Sequence, residues 1–117
     1  MATTSNTQSQ LIRTPTVAGM FYPSNPKELE ASVKYYLTEA AAKFEPAAKS
    51  APKAIIAPHA GYIYSGLTAA AVYNRLAPAR DIIKRVMILG PCHRVAVNGL
   101  ALPSTEVFAT PLGEVPL

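Results

Sequence analysis

The chain has two histidines, and both follow a short apolar run that ends in a proline-containing turn. His59 closes Ala54-Ile55-Ile56-Ala57-Pro58-His59, and His93 closes Val86-Met87-Ile88-Leu89-Gly90-Pro91-Cys92-His93. Neutral imidazole is the commonest protein ligand for transition metals, and two of them in an open cleft suit zinc, iron or copper. Two ligands do not complete such a site. Catalytic zinc usually takes three protein ligands, and the iron sites that activate oxygen use two histidines and a carboxylate. Of the seven carboxylates, Glu28, Glu30, Glu39 and Glu45 belong to a predicted first helix or its end, and Asp81 opens the connection into the second apolar run. Glu106 and Glu114 fall in segments that the pattern does not place. The sequence therefore names two ligands and no third.

Other residues beside the histidines have chemistry to offer. Tyr62 and Tyr64 follow His59, as core phenols or as groups that orient a ligand. Gly61, Ser65 and Gly66 lead into a helical pattern whose N-terminus could hold an anion. Cys92 reads either as a small residue in a tight turn or as a soft metal-ligand or redox thiol. No GxGxxG or Walker pattern occurs, so a nucleotide site has little support.

These residues need elements to position them. Lys53–Ala57 and Arg85–Leu89 read as strands, with a helix over about Gly66–Leu76 between them, stopped by Pro78. A strand-helix-strand crossover of this length implies parallel strands and a right-handed connection. Both strands are nearly continuous apolar runs, as expected of a sheet covered on both faces. The carboxyl ends of parallel strands share one sheet edge, the place where ligands bind in open α/β sheets. Adjacent strands are about 4.8 Å apart, so His59 and His93 are expected to meet.

Upstream, Asn25 is a good N-cap, Pro26 suits the first helical position and Glu28 lies three residues after the cap. Leu29, Val33, Tyr36, Leu37, Ala40 and Phe44 then recur at helical spacing, and Pro46 ends the helix. The stretch Arg13–Pro26 is too rich in proline for a helix and reads as an extended arm pinned by Val17, Met20, Phe21 and Tyr22. Residues 1–10 read as a polar, disordered tail, and 45–52 as a short linker. After His93, Asn98-Gly99 is a turn signal between two short β-like runs.

Composition excludes several classes. Of 117 residues half are apolar, yet no run is long enough to span a membrane. The polar start lacks a secretory pattern, and one cysteine cannot form an internal disulfide, so the cytoplasm is the expected compartment. The net charge of +4 comes from thinly scattered Lys and Arg without a nucleic-acid motif, which argues against nucleic-acid binding.

The motifs AGMFYP (Ala18–Pro23), APHAGYIYSG (Ala57–Gly66), ILGPCHR (Ile88–Arg94) and TPLGEVP (Thr110–Pro116) together resemble the Memo family, known in prokaryotes as AmmeMemoRadiSam system protein B. The family fold is similar to that of class III extradiol dioxygenases. By that resemblance His59 and His93 match two metal-site residues, and iron or copper is the implied ion. The remaining site residues, a cysteine ligand among them, belong to a C-terminal half beyond this chain. Cys92 stands where the family usually has serine and is not that cysteine, and Arg94 stands where some members have a second histidine. AMMECR-type and radical-SAM proteins of the same system are implied partners, alongside a small organic substrate.

The expectation is an α/β fold: a parallel βαβ core with flanking helices, the N-terminal part of a larger extradiol-dioxygenase-like domain. Residues 11–117 would be a partial, C-terminally truncated domain. His59 and His93 would be metal ligands, with Gly61, Tyr62, Ser65, Gly66 and Cys92 lining the pocket. Catalysis is expected only in a full-length parent. The alternative is a non-catalytic module that binds a peptide or small ligand in the same cleft.

Overall fold

The computed structural model describes residues 11–44 and 50–117. The tail expected over 1–10, and residues 45–49 of the expected linker, lie outside the described residues. The order of elements is β1 (Ile12–Arg13), α1 (Pro26–Lys43), α2 (Tyr62–Tyr73), a 3-10 helix (Asn74–Ala79), β2 (Val107–Thr110) and β3 (Gly113–Pro116). No helix among the described residues is long and apolar enough to cross a membrane.

α1 begins where its capping residues place it. Asn25 Oδ1 accepts hydrogen bonds from the amides of Lys27 (2.9 Å) and Glu28 (3.2 Å), satisfying two of the donors a helix leaves unpaired. Proline occupies the first turn, and the helix ends at Phe44, whose amide reaches Ala40 O at 3.0 Å. Leu29 and Ala40 are buried, with Val33, Tyr36 and Leu37 half-buried on the same stripe. The pairs Glu30–Lys34 (2.6 Å) and Glu39–Lys43 (3.1 Å) lie along the solvent side. Exposed pairs of this type add little to stability.

α2 starts four residues earlier than the helical pattern predicts. Gly61, with extended backbone (φ −57, ψ 149), is its N-cap. The amide of Tyr62 donates to Phe21 O at 2.8 Å, so the N-terminal arm takes up a first-turn donor that the loop would otherwise leave open. Gly66 is therefore inside the helix rather than at its start. Its role is close approach: a Cβ there would lie 2.9 Å from the ring of Tyr36. The α-helix gives way at Asn74 to the 3-10 turn that contains Pro78. Asn74 Nδ2 donates to Leu37 O at 2.9 Å and ties the end of α2 to α1.

The sheet is α/β in class but is not the one expected. β1 pairs with β2 in parallel (Ile12 with Val107, Arg13 with Phe108), and β2 pairs with β3 antiparallel through a turn in which Gly113 has φ 131. The guanidinium of Arg13 lies 5.2 Å from the centroid of the Phe108 ring across the β1–β2 pair. The predicted strands Lys53–Ala57 and Arg85–Leu89 are not strands here, and the parallel βαβ core between them is not formed. The helix that should connect them is present. Among the described residues no backbone hydrogen bond joins either run to another segment, so the strand conformation has no ladder to hold it.

Two stability tests follow from the helices. Replacing Asn25 by Ala should cost about 1 kcal/mol in urea denaturation through the lost cap. Gly66→Val should cost about 1–3 kcal/mol by forcing the Tyr36 ring off its seat, and an unchanged unfolding midpoint would contradict the close contact.

Candidate metal and ligand site

The loop Pro58–Gly61 carries His59 into the first turn of α2 and is held there by Ser65. That serine is buried, and its Oγ donates to Ala60 O at 2.9 Å, with Gly61 O at 3.4 Å. The bond spans the helix start and fixes the carbonyl one residue after His59. Gly61 allows the arm to approach, since a Cβ there would sit 3.5 Å from Phe21 O.

His93 reaches the same point from the far end of the second apolar run. Nε2 of His59 and Nε2 of His93 are 3.2 Å apart, with ring centroids 5.4 Å apart and planes inclined at 45°. At that distance one ring donates Nε2–H and the other accepts, or both lone pairs face one cation. Two ring N–H groups pointing at one another would repel, so the pair holds at most one proton between these atoms. Both rings are exposed, and neither apolar run preceding them forms the ladder that was expected to bring them together. Among the described residues no group of three or more His, Cys, Asp and Glu converges.

Beside His59 lies a cavity of about 460 Å³, between α1, α2 and the N-terminal arm. His59, Tyr62, Ser65 and Gly66 border it, together with Val33, Leu37 and the rings of Tyr22, Tyr36 and Tyr73. Tyr62 is the hub of the aromatic wall: its ring is 5.7 Å from that of Tyr22 and 6.1 Å, edge-on, from that of Tyr36. Burial, and then the neighbouring phenols of Tyr22 and Tyr73, push the Tyr62 phenol above its ordinary value. It stays protonated and can donate where an ordinary tyrosine begins to ionise.

Cys92 goes elsewhere. Its thiol is free and exposed, and it borders a second cavity of about 420 Å³ formed within residues 88–101 rather than the first. The structure thus gathers His59, Gly61, Tyr62, Ser65 and Gly66 around one loop, adds His93 by side-chain contact, and leaves Cys92 out. The part of the wall not expected from the sequence is Tyr73, together with Tyr36 as a pocket residue. Their signal was present as aromatic positions on the facing stripes of α1 and α2.

A family profile described as Memo-like protein matches residues 13–117. The chain belongs to the Memo family. Among its relatives, the MEMO1 family protein of Aquifex aeolicus (strain VF5) is 42% identical over 104 residues, covering 89% of this chain and 36% of the relative. The MEMO1 family protein of Archaeoglobus fulgidus is 41% identical over 107 residues, covering 89% of this chain and 35% of the relative. Human Protein MEMO1 is 39% identical over 95 residues, covering 81% of this chain and 30% of the human protein. This Memo chain therefore spans about a third of the length of the curated relatives it matches. No solved structure matches it.

The Tyr62 phenol gives a pH test. Because its folded-state value is raised, its contribution to stability is complete below the unfolded value near 10 and is lost as pH rises through the folded value. Tyrosinate absorbance should show a late component that Tyr62→Phe removes. A variant curve that loses only an average tyrosine would contradict this.

Proposed function

We propose that this chain supplies two imidazole ligands, His59 and His93, to a non-heme iron or copper centre of a dioxygenase-like Memo protein acting on a small organic substrate. The observation that supports this reading is the 3.2 Å separation of the two Nε2 atoms. Nitrogen ligands lie about 2.0–2.1 Å from zinc, and angles between octahedral and tetrahedral then put two ligand nitrogens roughly 2.9–3.4 Å apart. A direct imidazole hydrogen bond has the same length, so metal titration is what separates the two states.

The chain's own groups have definite parts in this reading. The bond from Ser65 to Ala60 O holds the His59 loop, Gly61 admits the arm, and Gly66 sets the wall formed by Tyr36 and Tyr62. The aromatic cavity would take the apolar body of a substrate, and the neutral Tyr62 phenol would orient a polar atom on it. Bound iron or copper would supply Lewis acidity and one-electron chemistry. The further ligands would come from outside this pair, as in a family-length protein. A cytoplasmic setting and work alongside AMMECR-type and radical-SAM proteins complete the proposal.

The cavity favours one second reading, a non-catalytic module that binds an apolar ligand or peptide side chain between the helices. Its ligand affinity would be indifferent to chelators.

The two readings separate by calorimetry. The chain should bind about one equivalent of Cu(II), more tightly than Fe(II), with release of protons and loss of affinity as pH falls. His59→Ala and His93→Ala should each weaken binding at least tenfold. Equal copper binding by the double variant would refute the metal site.

A further inference from the structure

The chain has four asparagines, Asn6, Asn25, Asn74 and Asn98. Each carries a side-chain amide carbon within reach of the next residue's backbone nitrogen, and closing a five-membered ring between the two expels ammonia. The surroundings decide whether that ring can form. Asn25 is blocked twice: its Oδ1 accepts the amides of Lys27 and Glu28, and the nitrogen of Pro26 has no proton to lose. Asn74 is held in helical backbone (φ −57, ψ −25), with Nδ2 bonded to Leu37 O at 2.9 Å. Asn6 lies outside the described residues.

Asn98 differs on every count. It is followed by Gly99, both residues are exposed, and their turn signal has no hairpin around it: neither 95–97 nor 100–102 is a strand. Among the described residues no backbone hydrogen bond engages Asn98 or Gly99, so no ladder clamps the dihedrals that ring closure must change. Gly99 has φ 86, and beyond its chain neighbours no atom lies within 4 Å of the place a Cβ would take. Its nitrogen is therefore shielded neither by a side chain of its own nor by packing.

We infer that Asn98-Gly99 is a site of self-modification, at which the chain deamidates through a succinimide and gains an acidic group with time. The Gly99 nitrogen, having lost its proton to solvent base, attacks Asn98 Cγ. The N–Cγ bond forms, the Cγ–Nδ2 bond breaks, and Nδ2 leaves as ammonia. Water then opens the ring. Addition at Cγ gives aspartate; addition at the backbone carbonyl carbon of residue 98 gives isoaspartate, whose main chain runs through Cγ and is one methylene longer. Water is the only co-reactant. Either product lowers the net charge of +4 by one. The change falls between Val97 and Gly99, which border the second cavity together with Leu89 and Cys92, and none of the side chains around that cavity is charged. A carboxylate and a lengthened main chain thus arise beside the chain's single cysteine, by chemistry that needs neither histidine.

The test ages the full 117-residue chain at neutral pH and follows the tryptic peptide after Arg94 by mass spectrometry. Residue 98 should gain one mass unit and resolve chromatographically into aspartyl and isoaspartyl forms, faster as pH rises, while Asn25 and Asn74 keep their amides. Gly99→Ala should slow the reaction roughly tenfold by placing a Cβ beside the attacking nitrogen. Asn98→Gln, which would have to close a six-membered ring, should remain unmodified over the same period. Because the step makes no contact, both variants should melt as the parent does. Unfolding the chain in guanidinium chloride should leave the rate at residue 98 unchanged to within about twofold, as for a loop that the fold does not protect. An Asn98 that outlasts Asn74, a Gly99→Ala rate equal to the parent's, or a large acceleration at residue 98 on unfolding would each overturn the inference.

Discussion

The approach of α2 to α1 at Gly66 governs the described fold. With no side chain at that position, the Tyr36 ring lies against the helix backbone, and α2 is brought close enough for Asn74 to bond Leu37 O. That seat fixes the first turn of α2, and with it Ser65, Ala60 and the loop that carries His59. The aromatic wall adjoins the same contact, with the Tyr62 ring edge-on to Tyr36 at 6.1 Å and 5.7 Å from Tyr22. One missing Cβ therefore links helix packing to the position of an imidazole some distance along the chain.

The site combines two kinds of environment. The histidine pair is open to water, and the cavity beside His59 is lined largely by apolar and aromatic side chains. Tyr62 stands at the boundary and keeps its proton because both burial and its neighbours disfavour a phenolate.

Much of this was legible in the residue pattern, and the parts that were not have a physical cause. Asn25, Pro26 and the Leu29–Ala40 stripe encode α1 locally, so capping and periodicity sufficed. The extent of α2 is not legible in the sequence because Gly66 resembles a helix boundary, whereas its absent side chain serves a contact with Tyr36 on another helix. The apolar runs before His59 and His93 have strand composition, yet a strand exists only with a partner, and pairing is a property of the surroundings. Conversely, β2 and β3 carry a turn signal at Gly113 but too few residues to announce a sheet with Ile12–Arg13. The meeting of His59 and His93 was expected from a sheet edge and occurs by side-chain reach without that sheet.

The pairing of Ile12 with Val107 has a bearing on timing. α1 and α2 are formed by contacts between neighbours in the chain and can condense as soon as residue 79 exists. β1 cannot pair until residues 107 and 108 have been made, and closing so long a loop adds an entropic cost that the helices do not meet. During synthesis the arm of residues 11–24 would then be held first by Phe21 at the start of α2, and its leading end would wait for β2. The helical pair is expected to fold early and the sheet to close last.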